Sequence, residues 1–191
     1  KQGYDAIEFP HIESNKIKTT EIRVLKDLKP EDFLQNPISS LTGYHIVRNP
    51  KAMTAIEKEG FSLKKFGSES GTKEIGDPKG IYFFPNKSSI KGSEGWSDIA
   101  TSKNTLKRTL NLEKPYIVKS AQQYFDDIVK PATNTKAKTL EQFRRIAGTN
   151  DSEKVTNYAL KQGYDGILDK NGLLSFEEPQ IIVLDLKKIS K

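Results

Sequence analysis

The chain has no cysteine, one methionine, one tryptophan and two histidines in 191 residues. Without cysteine there are no disulfides and no thiolate metal sites, and His11 and His45 alone exclude a histidine-rich metal cluster. No run approaches the roughly 18 apolar residues that span a bilayer, and no signal-like apolar stretch opens the sequence. The missing cysteine is compatible with a reducing cytosol. Blocks of one charge are missing too. Acids and bases mix along the chain, as in Glu57-Lys58-Glu59 and Glu153-Lys154, so the net charge of +6 reads first as a solvated lysine-rich surface. A basic nucleic-acid-binding module is the competing reading of that charge. The first residue is Lys1 and the only methionine Met53, so a piece of something longer is expected.

What the chain does have is a near-repeat of its ending at its beginning. Lys1-Gln2-Gly3-Tyr4-Asp5-Ala6-Ile7 returns as Lys161-Gln162-Gly163-Tyr164-Asp165-Gly166-Ile167. A comparable distance after each tag comes an apolar run, Glu21-Ile22-Arg23-Val24-Leu25 and then Gln180-Ile181-Ile182-Val183-Leu184. Aligned on these runs, Glu21 stands where Gln180 stands, with a single-residue gap in the loop between tag and run. Such self-similarity marks repeated units. It predicts that residues 1–36 are the tail of a preceding homologous unit or an N-terminal appendage, and that 37–191 form one complete domain. Coincidence between two glycine-containing turns is the plainer alternative. With 35% hydrophobic and 29% charged residues, the chain suffices for one good core plus an appendage.

Residues 15–28 read as extended, with a boundary at Lys29-Pro30 and a connector from Asp32 to Ser40. Thr42 to Val47 has the β-branched and aromatic character of a strand. Asn49-Pro50 then opens a helix that Gly60 stops. A Gly/Ser/Thr/Lys loop from Lys64 to Lys79 leads into the apolar strand Gly80 to Phe84, stopped by Pro85. Lys87 to Asn104 is polar, with Trp96 its one large aromatic. Leu106 to Val118 reads as a strand pair or one strand broken at Lys114-Pro115. Helices follow at 121–129, 140–146 and 153–160, with a linker at 131–138, and the last strands are Ile167-Leu168 and Ile181 to Leu186. Interspersed helices and strands predict a mixed α+β domain.

Three features carry chemistry: Tyr44-His45 in a short strand, Gly80-Ile81-Tyr82-Phe83, and Glu177-Glu178-Pro179-Gln180 before the last strand. Taken singly, each has a bland reading, as a structural histidine, a core tyrosine or a charged loop. In this order, the chain from Thr42 onward resembles the ADP-ribosyltransferase superfamily, in its His-Tyr-Glu branch of diphtheria-type toxins and poly(ADP-ribose) polymerases. It is most similar to the transferase domains of phage and mobile-element polyvalent proteins. Tyr44-His45 with Glu59-Gly60-Phe61 looks like the first motif and Lys79-Gly80-Ile81-Tyr82-Phe83 like the second. Asn111 to Val118 and Phe125-Asp126-Asp127-Ile128 resemble the central segments. Gly163 to Ile167 and Gln180 to Asp185 resemble the closing one.

The resemblance implies a split two-sheet core with peripheral helices, and NAD as the substrate with no metal. It assigns His45 to the nicotinamide ribose, the backbone at Ile46 to the carboxamide and Tyr82 to the nicotinamide ring. The implied activity is (mono-)ADP-ribosyl transfer to a protein or other acceptor. Two departures stand out. The family's catalytic glutamate immediately precedes the last apolar run, where this chain has Gln180, an amide that brings no charge to a developing cation. Glu178 is the substitute candidate, two residues earlier on the same side of an extended strand, though Pro179 intervenes. The second stacking tyrosine has no evident counterpart, leaving Trp96 as a replacement or as core. A catalytically degenerate domain with a binding or structural role in a larger phage-like protein is therefore the rival reading. In the tandem reading, Glu21 is the acid of the neighbouring copy.

Overall fold

Two antiparallel strands, β1 (Ala6–Glu13) and β2 (Lys16–Val24), form a hairpin whose register shifts by one residue between His11 and Ile12. In the computed structural model, residues 6–13, 16–24, 40–65, 77–92, 96–148, 150–174 and 178–190 are described. The tag residues 1–5, the Lys29-Pro30 boundary, nearly all of the connector at 32–40, most of the loop at 64–79 and Glu177 lie outside them. The chain divides into Lys1–Pro37, which holds this hairpin, and Ile38–Lys191.

Ile38–Lys191 is a mixed α+β unit. β3 (Leu41–Ile46) pairs antiparallel with β5 (Thr105–Leu110) in a two-stranded sheet. β4 (Ile81–Phe83), β8 (Gln180–Val183), β7 (Gly166–Asp169) and β6 (Pro115–Ile117) form a four-stranded sheet in that order, with β6 parallel to β7 and the other pairs antiparallel. Residues 106–118 hold two strands, the second opening at Pro115, but the two go to different sheets and do not pair with each other. The sheets meet at two narrow joints. Tyr44 and Phe84 exchange two main-chain bonds (2.9 and 2.8 Å), and the Leu110–Ile189 bridge is flanked by Asn111 N–H to Lys188 O (2.7 Å) and Ser190 N–H to Thr109 O (2.9 Å).

The helices follow local signals where these exist. In α1 (Pro50–Glu59) the Asn49 side chain accepts from the Lys51 N–H at 2.9 Å, and the Gly60 N–H closes the last turn on the Ile56 carbonyl. The polar stretch after Pro85 hides a short helix, α2 (Lys87–Gly92), whose first turn is capped by Asn86 accepting from the Ser89 N–H at 2.8 Å. The third helix, α3, runs through Ala121–Tyr124, a wider π-type turn at Phe125–Val129, and Lys130–Thr133. The linker expected from Pro131 begins only at Asn134, where a left-handed residue ends the helix. The wide turn stands just before Pro131, whose ring would crowd the carbonyl four residues back in a regular helix. α4 (Leu140–Ile146) and α5 (Asp151–Lys161) complete the set. The last strand stops at Val183 rather than Leu186, because Asp185 accepts from the Lys187 N–H and starts a 3-10 turn.

Side-chain alternation sends the four-stranded sheet's residues into two cores. On one face, Ile167 and Ile182 pack with Tyr116, Tyr124, Phe125, Phe143 and Val155 beneath the helices. On the other, Ile81, Phe83, Leu168, Ile181 and Val183 pack with Leu110 and Leu112. A smaller cluster of Ile46, Phe84 and Ile90 lies under Tyr44 and Trp96.

Candidate functional site

His45 stands near the end of β3 with Gly43 two residues before it on the same face. A Cβ on Gly43 would come within 2.7 Å of Leu110 Cδ1 and 2.8 Å of Phe83 Cβ, so only glycine allows β3 this close to Phe83. The His45 ring meets Phe61 edge-on (centroids 5.2 Å) and Phe83 at a tilt (5.6 Å). Its Nδ1 lies 2.8 Å from the main-chain oxygen of Tyr82. A carbonyl only accepts, so the proton is on Nδ1 and Nε2 presents a lone pair. Burial holds the His45 pKa below its ordinary value, with nearby Arg108 acting in the same direction and the bond to Tyr82 opposing. The ring is therefore a neutral acceptor at neutral pH.

The remaining expected residues gather around β4 and β8. Tyr82 pairs in register with Ile182 and Phe83 with Ile181. Strand alternation puts Tyr82, Ile182 and Gln180 on the helix-covered face and Phe83, with the His45 ring against it, on the other. The structure thus brings His45 to the backbone of Tyr82 but not to its ring. The Tyr82 hydroxyl donates to the Pro78 carbonyl at 2.7 Å. Ile46 is buried, packs with Phe84 and Ile90, and pairs with Thr105. Gln180 pairs with Asp169, and its side-chain oxygen is buried without a hydrogen-bond partner. Glu178 is half-buried just before it. Trp96 is half-buried, carrying the Arg48 guanidinium 4.6 Å above its ring and Phe84 edge-on at 6.4 Å, so it is committed to this small cluster.

Arg108 is a site residue that strand character alone did not mark. It faces Gly43 across the β3–β5 ladder and lines a cavity of about 230 Å³ with Phe61, Glu57, Glu59, Leu186 and Ser190. Pockets that bury a whole drug-sized ligand run to roughly 300–1,000 Å³, so this one suits a fragment, and two glutamates to one arginine favour a neutral, hydroxyl-bearing piece such as a sugar over a phosphate. Nothing in the sequence alone marked it, because its place opposite Gly43 follows from the β3–β5 register.

The repeated tag has a structural job. Gly163 (φ 85°) follows the end of α5 in a conformation that favours glycine. Tyr164 packs edge-on against Tyr116 (5.3 Å), with Lys114 5.4 Å from its ring. The Asp165 carboxylate accepts from the main-chain N–H groups of Glu113 (2.6 Å) and Lys114 (3.1 Å).

Among the described residues no cluster of three or more metal-ligating side chains occurs, and no helix is long and apolar enough to cross a membrane. No known family, curated protein or solved structure matches this chain.

Proposed function

We propose that residues 37–191 form an ADP-ribosyltransferase-type domain that binds NAD and transfers ADP-ribose, with Glu178 supplying the carboxylate. The observation that carries this reading is the buried, unpartnered Oε1 of Gln180, at the head of the strand where the resemblance looks for a ribose-binding acid. An unmade hydrogen bond of this kind costs about 1–3 kcal/mol, which a ligand hydroxyl donating to it would recover. NAD offers such hydroxyls. The pair of sheets, joined among the described residues by the Tyr44–Phe84 and Leu110–Ile189 bridges and the His45–Tyr82 bond, agrees with the split core that the resemblance implies. The neutral His45 Nε2 and Arg108 lie on the other side of β4 from Gln180, so they do not meet a hydroxyl held there.

In the transfer, the bond from ribose C1 to the nicotinamide nitrogen breaks and its electron pair leaves with neutral nicotinamide. An acceptor lone pair then bonds to C1 and the acceptor gives up a proton. A carboxylate near C1 stabilises the developing cation, and here Glu178 takes that part while Gln180 holds a hydroxyl in place. Purified protein incubated with NAD labelled in the nicotinamide tests the reading. Release of label that disappears in Glu178→Ala supports it.

A binding role without transfer is the second reading. It is favoured by the amide at position 180 and by the location of His45 on the opposite side of β4 from Tyr82 and Gln180. NAD binding by calorimetry with no release of nicotinamide in the same preparation selects it.

A further inference from the structure

The β1–β2 hairpin and the β7–β8 hairpin have the same register. Ala6, Ile7, Glu8 and Phe9 pair with Val24, Arg23, Ile22 and Glu21. Gly166, Ile167, Leu168 and Asp169 pair with Val183, Ile182, Ile181 and Gln180. Under the sequence match of tag to tag and run to run, these four pairs correspond one for one. The extra residue of the first copy is taken up further along, where His11 pairs with Thr19 but Ile12 with Ile17. The four pairs follow from one shared register, and a one-residue slip in either hairpin would break all of them.

We infer that β1–β2 is a second closing hairpin, built to complete another unit of this same fold, and that Glu21 puts a carboxylate at its Gln180 position. Two further observations point to that partner. β8 is covered by β7 on one edge and β4 on the other, whereas β2 pairs only with β1 among the described residues. The free edge is the one that a β4-type strand, apolar and aromatic like Gly80 to Phe84, would cover by strand addition. The repeated tag also needs more than its hairpin. In Ile38–Lys191, Gly163, Tyr164 and Asp165 act against the end of α5, Tyr116 and the Glu113-Lys114 turn. Residues 8–37 contain no sequence like those partners, and a second unit of this fold would supply them. The catalytic meaning of Glu21 rests on the ADP-ribosyltransferase reading; the duplication does not.

The test uses the whole chain in three measurements. Nuclear Overhauser contacts across β1–β2 are expected at the four pairs above, and a slipped register overturns the duplication. Titration with a synthetic peptide of the sequence Lys-Gly-Ile-Tyr-Phe-Phe-Pro is expected to shift amides along Lys16–Val24, more than a scrambled peptide does; shifts elsewhere or none overturn the assigned partner. Gln180→Glu, which copies Glu21 into the second hairpin, is expected to raise nicotinamide release about 100-fold or more. No rise in a variant that still binds NAD overturns the role given to Glu21. Absence of NAD binding altogether sinks the transferase reading instead and leaves the first two measurements to judge the hairpin.

Discussion

The Nδ1–H of His45 donates to the main-chain carbonyl of Tyr82 across 2.8 Å, from the two-stranded sheet to the four-stranded one. One imidazole thereby ties β3 to β4 beside the Tyr44–Phe84 bridge and is left with its other nitrogen as an acceptor. Burial holds the ring neutral although this bond by itself favours the cation, so stability depends on His45 staying unprotonated.

Acidification tests that dependence. The unfolded chain binds a proton at His45 near its ordinary pKa of 6.5, while the folded chain resists until a lower pH. The unfolded state therefore holds more protons in that window, and the stabilisation present above pH 6.5 is lost as pH falls through the folded value. Chemical denaturation between pH 7.5 and 5 should show a midpoint that drops with pH. In His45→Asn that slope should flatten, and an unchanged slope would contradict the assignment.

Replacing Gln180 by leucine separates binding from folding. It removes the unpartnered buried oxygen, so stability should rise by about 1 kcal/mol in urea titrations. Binding of NAD should weaken at least about 10-fold by calorimetry, since one hydrogen bond of roughly 1.4 kcal/mol is a factor of ten. A variant that is more stable and binds NAD equally well would remove Gln180 from the site.

Gly43→Ala should destabilise by about 1–3 kcal/mol, because its Cβ would overlap Leu110 and Phe83 in a packed core. The extra methyl also pushes β3 off β4, so the chemical shifts of His45 and Phe61 should move with it. Thermal unfolding and a proton–carbon spectrum of the imidazole report the two effects.

For Asp165→Ala the loss should be roughly 1–3 kcal/mol, from the two main-chain donors at Glu113 and Lys114 that it strands. Asp165→Asn keeps an acceptor oxygen and should recover part of the difference. Equal losses in both variants would mean that the charge, through Lys188 at 3.9 Å, matters more than the hydrogen bonds.

Part of what depends on neighbours in sequence was legible beforehand. Asn49, Pro50 and Gly60 bound α1 by caps that are local chemistry, and Gly163 ends α5 in the same way. α2 was hidden because Asn86 and its serines read equally well as a loop. The final strand looked longer because Leu184 and Leu186 continue an apolar pattern that the Asp185 turn interrupts. The partition of β5 and β6 between two sheets depends on long-range pairing that no window of sequence contains. At the site, His45, Tyr82 and Gln180 were marked by motif order alone. Which side of β4 each occupies is a matter of register, and so is the place of Arg108 opposite Gly43.

The two narrow joints between the sheets have a mechanical consequence. Within the strands they leave only a few main-chain bonds at either end of β3–β5, so shear between the sheets concentrates at Tyr44–Phe84 and Leu110–Ile189. If one clasp opens, the other becomes a pivot. Such an opening must also break the His45–Tyr82 bond and part Leu110 from Phe83, so His45 and Arg108 leave Tyr82, Glu178 and Gln180 only at that cost. The angle between the sheets becomes the coordinate that sets how far apart the two halves of the candidate site stand.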